Sequence, residues 1–253
     1  MFLQLMRLIK IFSLNFFLFF CLESDAHSPE NFIIAEIEQG QISFENEIIA
    51  KEYEAALKRL RIRRISSMSF IKKFSIFTKA GFEHIIPKGL DHILFVLGLF
   101  FSCLKFKSLL IQVTSFTIAH SITLFLAAIG IFQLSGSITE PLIALSIVWI
   151  GVENCIFKEP KKWRAIIVFL FGLLHGLGFA SVLSYYGLPK DNFISLLLAF
   201  NIGVEIGQLA ILILAYILIN MLFRKNWKDR KIRIAVSIII AAVGSFWFVE
   251  RIV

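Results

Sequence analysis

Four of the five histidines in this chain lie in or beside hydrophobic segments long enough to span a membrane. They are His84, His92, His120 and His175. An imidazole in lipid costs free energy unless it is paired or hydrated, so such groups usually mark a functional site. Imidazole and carboxylate together suit nickel, cobalt and zinc, and the sequence therefore predicts a site for a divalent transition metal.

Other polar side chains occur in the same segments. Helices rise about 1.5 Å per residue, and on that scale Asp91 and the histidines fall toward the outer side of the membrane. We predict that Asp91 and the four histidines bind the metal. We predict that a second set of residues lines the pathway inward: Glu153, Asn154, Asn201, Glu205 and Gln208.

Each of these groups also has a purely structural interpretation. A single histidine in a span can bond a neighbouring carbonyl and stabilise packing only. The amides of Asn154, Asn201 and Gln208 suit hydrogen bonds between helices, and the threonines before His120 suit bonds to their own helix. Glu205 is harder to explain in this way, because a carboxylate in mid-membrane takes up a proton or finds a cation.

The composition is that of a protein whose main partner is the lipid bilayer. Of 253 residues, 58% are hydrophobic and 28 are Phe, whereas soluble domains are nearer half apolar. The net charge of +8 does not indicate nucleic-acid binding, because the basic residues lie in short loops between apolar runs. The sequence predicts no organic cofactor. It is compatible with a homo-oligomer.

The elements that must position the polar groups are transmembrane helices, in an all-α bundle. We predict six spans, at about 89–104, 107–133, 138–157, 163–186, 192–222 and 232–249. Alternate connections are basic, which places them in the cytoplasm and both the N-terminal segment and the C-terminus outside. Small residues recur every four positions in the fourth and fifth spans and should allow close helix packing there.

The N-terminal part reads as exported. Residues 1–26 combine a basic start, a short apolar run and small residues before a cleavage point, as in a signal peptide, although an uncleaved anchor is an alternative. Residues 27–80 form a short exported segment with an amphipathic helix, and residues 81–253 form the transmembrane domain. The basic stretch 58–79 is an exception to the charge pattern.

Five sequence blocks give the chain a family resemblance. They are GFEHIIPKGLDHILFVLGLF, QVTSFTIAHSITL, EPLIALSIVWIGVEN, FGLLHGLGFASVL and FNIGVEIGQLA, and they run from about Gly81 to Leu214. In these blocks and their order the chain resembles the HupE/UreJ family of bacterial membrane proteins. Six residues separate His84 from Asp91, one more than in the hydrogenase-linked branch, so the resemblance is to the family's second branch.

The resemblance implies a six-span protein of the bacterial inner membrane, after a signal peptide. It also implies a nickel or cobalt permease connected with hydrogenase or urease maturation. Two other functions stay open beside transport. One is an intramembrane zinc hydrolase, since three histidines and a carboxylate can hold a hydrolytic zinc. The other is a membrane assembly factor that moves no solute.

Overall fold

The computed structural model describes residues 47–253, apart from 104, 133, 162, 179–188, 190–191 and 224–228. The predicted signal peptide and residues 27–46 of the predicted exported segment therefore lie outside the described residues. Where the chain is described it is helical and contains no strand, as expected for an all-α protein. The helices are α1 (Glu47–Ser66), α2 (Phe70–Ile85), α3 (Leu90–Ser102), α4 (Phe106–Ala128), α5 (Gly136–Ile156), α6 (Arg164–Gly178), α7 (Phe193–Phe223) and α8 (Arg230–Glu250).

Four of these helices, α4, α5, α7 and α8, are long and apolar enough to cross a membrane. The pair α2 and α3 passes the same test when taken together, but it bends by 70° across residues 86–89. Helix α6 is apolar and has 15 described residues. The chain is thus a helical membrane protein with four or five spans evident by length and composition, and the count of six stays a prediction.

Successive helices from α3 to α8 run in alternating directions, as their contacts show. Ser146 of α5 lies beside His175 of α6, and Glu153 lies beside Arg164, so α5 and α6 are antiparallel. In the same way, Asp91 contacts Arg251 while the carbonyl of Ser102 bonds Arg233, which makes α3 antiparallel to α8. Consecutive helices that each cross a membrane must alternate in direction.

The glycines allow close helix pairing, but not between the fourth and fifth predicted spans. A methyl group at Gly176 of α6 would meet Thr123 and the carbonyl of His120, both on α4. A methyl group at Gly203 of α7 would meet the carbonyl of Thr78 on α2. Each small-residue stripe therefore faces a different neighbour, and the pairing of α6 with α4 sets the spacing of two of the predicted site helices.

Helix α2 belongs to the bundle, although basic residues flank it. It lies parallel to α7, with Gly81 against Phe200 and Ile85 against Gly207. Phe77 and Ala80 are buried in the common core. The predicted boundary between residues 80 and 81 thus falls inside this helix. Helix α1 (Glu47–Ser66), before it, lies where the amphipathic helix was expected, but its apolar residue Leu60 is 59% exposed.

Candidate metal site in the helix bundle

The break between α2 and α3 brings the first two histidines together. His84 lies in the last turn of α2 and His92 in the first turn of α3, while His120 and His175 come from α4 and α6. All four side chains are buried, with 5% or less of each residue exposed. Four separate helices thus each deliver one imidazole to the same interior position.

The four rings form one connected cluster with His92 at its centre. The centroid of the His92 ring lies 4.7 Å from that of His84, 4.8 Å from that of His175 and 5.6 Å from that of His120. The rings of His84 and His120 are 5.9 Å apart. We call His84, His92, His120 and His175 the histidine cluster. The structure thus brings the four predicted histidine ligands together, and metal binding by them stays a prediction.

Phenylalanines enclose the cluster. The ring of Phe116 stacks on His120 at 6.2 Å, and Phe95 lies 5.4 Å from His175. Phe200 of α7 covers His84 at 5.8 Å. An apolar wall of this kind keeps water out and strengthens any electrostatic interaction inside it.

His120 has the chemistry expected of a metal ligand. It is fully buried, and within the described residues neither of its ring nitrogens has a hydrogen-bond partner. Buried polar atoms are nearly always paired, so an orphaned imidazole in a membrane core fits a ligand that binds a cation. The rings meet largely edge to face, however, and no group of three or more His, Cys, Asp or Glu among the described residues is already arranged to hold a metal ion.

Ser146, which was not among the predicted site residues, contacts the ring of one histidine. The hydroxyl of Ser146 lies 3.1 Å from Nε2 of His175 and donates a 2.6 Å hydrogen bond to the carbonyl of Ile143. Ser146 is fully buried on α5. Its position opposite His175 depends on how α5 packs against α6, and no motif in the sequence reveals that.

The carboxylate of Asp91 is already paired with an arginine. One guanidinium nitrogen of Arg251 lies 3.1 and 3.2 Å from its two carboxylate oxygens, just beyond the C-terminal end of α8. Asp91 is 2% exposed, so this is a buried ion pair next to His92 in the chain. The predicted metal ligand Asp91 therefore has the guanidinium of Arg251 as its partner in the structure.

Four of the five predicted pathway residues divide into two groups at different places. Glu205 and Gln208 of α7 meet α4, where Thr114 donates a 2.9 Å hydrogen bond to Glu205 and Thr117 donates a 2.8 Å bond to Gln208. We call these four residues the polar layer. The Oγ1 atom of Thr117 also lies 3.2 Å from the carbonyl oxygen of Val113 on its own helix, but its single hydrogen can be donated to only one of these two acceptors. The amide nitrogen of Gln208 has no hydrogen-bond partner within the described part of the chain.

The second group lies at the basic end of the bundle, which we define by Arg164, Arg230 and Arg233. There Glu153 forms a 3.2 Å ion pair with Arg164, and Asn154 accepts two 3.1 Å bonds from the same guanidinium. Asn154 also donates to the carbonyl of Gly98 on α3. These contacts join α3, α5 and α6 to one another. The last predicted residue, Asn201, donates to the carbonyl of Leu197 on its own helix.

Comparison with known families places the chain in one of them. The family described as HupE / UreJ protein matches residues 60–251, a range that contains the histidine cluster and the polar layer. This chain belongs to the HupE/UreJ family. No curated protein and no solved structure matches it significantly. The match extends the resemblance to α2 and to the end of α8, and so takes in Arg251.

Proposed function

We propose that this HupE/UreJ protein is a permease for a divalent transition metal, nickel or cobalt before zinc. The observation that carries the proposal is the meeting of four buried imidazoles from four helices in an apolar enclosure. Membership of the HupE/UreJ family supports a nickel- or cobalt-related role. The metal is the cargo in this account, which requires no organic cofactor.

The spacing of the rings supports binding after small side-chain rotations. Metal–imidazole bonds of about 2.0–2.1 Å place two ring centroids on one ion roughly 5 Å apart. The two shortest separations, from His92 to His84 and to His175, lie near that value. Rotation of the edge-to-face rings about their side-chain bonds would point their nitrogen lone pairs at the ion. The ring of His120, 5.6 Å from that of His92, would have to move slightly farther to bind the same ion. Easy turning suits a permease, because cargo must leave as well as enter.

The route inward follows α4 and α7 in this proposal. Thr117 and Thr114 lie three and six residues from His120 along α4, or about 4.5 and 9 Å at the helical rise. The polar layer thus offers a carboxylate, an amide and two hydroxyls one to two turns from the histidine cluster. Glu153 is already neutralised by Arg164, so we assign Glu153 and Asn154 to the structure of the basic end rather than to the route.

The charge of the loops supports an orientation of the protein in the membrane. The positive-inside rule places the basic end in the cytoplasm of a bacterial inner membrane. The Asp91 end, with the C-terminus, then faces outward. The alternating directions of α3 to α8 support this arrangement. The chain lacks a GxxxxGK[ST] motif, so the driving force would be an ion gradient or the membrane potential. Nickel entering in this way would be available for hydrogenase or urease maturation.

Uptake of radioactive nickel, cobalt and zinc tests the proposal in cells with and without the gene. We expect the gene to increase uptake of nickel or cobalt, and His120→Ala to abolish the increase at equal protein level. Ser237→Ala is the matched control, since Ser237 is a fully buried serine on α8, a helix that contributes no histidine to the cluster. Equal uptake of all three metals with and without the gene would refute transport. Tight retention of one zinc per chain without any uptake would favour the hydrolase.

A further inference from the structure

The ion pair between Asp91 and Arg251 closes the end of the bundle opposite the basic end. Arg251 is held in place by three contacts that involve α3, α5 and α8. One nitrogen pairs with the Asp91 carboxylate, another donates a 3.1 Å bond to the carbonyl of Glu140, and the guanidinium lies 5.5 Å from the centre of the Trp247 ring. The arginine is therefore fixed by its surroundings and is not a solvated surface charge.

This pair neutralises a carboxylate that is close in sequence to the histidine cluster. Asp91 directly precedes His92, the central ring, and both residues are 2% exposed. Neutral imidazoles bring no negative charge to a dication, so a buried carboxylate beside them would be the natural counter-charge. While Arg251 pairs with Asp91, that charge is cancelled. The bound guanidinium and an arriving metal thus require the same carboxylate.

We propose that Arg251 is a positioning residue that competes with the metal for the negative charge of Asp91. The inference rests on the proposed function, because it takes the histidine cluster as the metal site. In the metal-free protein Arg251 satisfies Asp91 and keeps the outer end closed. A metal ion at the cluster draws the carboxylate toward itself and loosens α8 from α3. Arg251 thereby lowers the affinity for the metal and makes binding at the cluster open this end.

A double-mutant cycle tests this competition on the full-length purified protein in detergent. Co²⁺ is the probe, and the binding signal is its visible absorption, which reports on the ligands directly. The variants are Arg251→Gln, Asp91→Asn and the double substitution. Melting temperature and size-exclusion profile are measured without metal for each of them. Arg233→Gln serves as control, because Arg233 is a buried arginine of α8 whose hydrogen bonds, among the described residues, go to the carbonyls of Phe101, Ser102 and Lys158.

The competition predicts that Arg251→Gln tightens Co²⁺ binding by about tenfold, within the usual range for coupled sites. In the Asp91→Asn background the same substitution should have no effect. Arg233→Gln should lower the melting temperature and leave the dissociation constant unchanged. If Arg251→Gln cannot be purified, Arg251→Lys should give an intermediate tightening, since one ammonium holds the carboxylate less firmly than a guanidinium.

An unchanged or weaker affinity in Arg251→Gln, or the same tightening with and without Asp91, would overturn the competition. The His120→Ala variant in the same titration separates this outcome from failure of the metal site. If His120→Ala binds Co²⁺ like the wild type, the proposed site is wrong. If His120→Ala loses binding while Arg251→Gln has no effect, only the role of Arg251 is wrong.

Discussion

The hydroxyl of Ser146 gives its only hydrogen to the carbonyl of Ile143, at 2.6 Å, and lies 3.1 Å from Nε2 of His175. A hydroxyl that has donated its hydrogen can only accept, so the proton of the second bond belongs to Nε2 of His175. In a neutral imidazole this leaves the lone pair on Nδ1. Ser146 therefore selects the tautomer of His175 and its ring orientation, as partners of metal-bound histidines commonly do.

Replacing Ser146 should weaken metal binding without removing any ligand. We expect Ser146→Ala to lower the affinity for Co²⁺ by roughly 10–100-fold, as found for partners that orient a ligand. Ser146→Thr keeps the hydroxyl and should restore most of the affinity. Titration of the purified variants by visible absorption measures this effect, with Ser237→Ala as the buried-serine control. Equal affinity in Ser146→Ala and wild type would show that His175 needs no such partner.

Glu205 should matter for transport more than for binding at the histidine cluster. It lies in the polar layer, one to two turns of α4 away from His120, where Thr114 bonds its carboxylate. Glu205→Gln should lower nickel or cobalt uptake by about tenfold or more, since an interaction with a charged group contributes about 1.5–3 kcal/mol. The dissociation constant of Co²⁺ in detergent should stay near that of the wild type.

Glu153→Gln is the matched control for that experiment. It removes a carboxylate from the basic end of the bundle and breaks the buried pair with Arg164. Loss of one member of a buried pair costs about 3–5 kcal/mol of folding stability. Its melting temperature should therefore fall, while uptake per folded molecule is retained. The reverse pattern, with uptake dependent on Glu153 and not on Glu205, would place the route on α5.

Gly176 sets the distance between α4 and α6, and through it the distance between His120 and His175. A Cβ atom at this position would meet the side chain of Thr123 and the backbone carbonyl of His120, which cannot move aside cheaply. Gly176→Ala should destabilise the protein by about 1–3 kcal/mol, the usual cost of overpacking. It should also weaken Co²⁺ binding. Thermal melting and titration measure the two effects.

Gly136→Ala provides the comparison for Gly176. Gly136 lies at the exposed start of α5, and its added methyl group would approach only the flexible carboxylate of Glu140, at 3.2 Å. This variant should melt and bind like the wild type. If the two glycine variants behave alike, the close approach of α4 and α6 does not determine the geometry of the cluster.

Residue types in apolar segments were enough to select the histidine cluster. Any imidazole in a span needs an explanation, and the four that were selected meet in space. Their partners could not be selected in the same way. Ser146 and Thr114 are common residues of membrane helices, and their role depends on which helix each one faces. Sequence alone does not give that rotation.

The fold was predictable where apolar runs are long and uninterrupted. Helices α4, α5, α7 and α8 correspond to predicted spans. Helix α2 was not predicted to belong to the bundle, because Lys72, Lys73 and Lys79 interrupt the apolar run in the sequence. In the structure Lys72 and Lys79 are exposed and only Lys73 is buried. The pairing of Asp91 with Arg251 joins residues 160 positions apart and follows only from the packing of α3 on α8.

Equilibrium binding of Co²⁺ and Ni²⁺ to the purified protein tests most directly that the histidine cluster is a metal site. The comparison is wild type against His120→Ala and His175→Ala, with Ser237→Ala as control and each variant checked for folding by thermal melting. We predict one metal ion per wild-type chain, retained by the control and lost from both histidine variants while they remain folded. Wild-type stoichiometry and affinity in the folded His120→Ala and His175→Ala proteins would contradict the account.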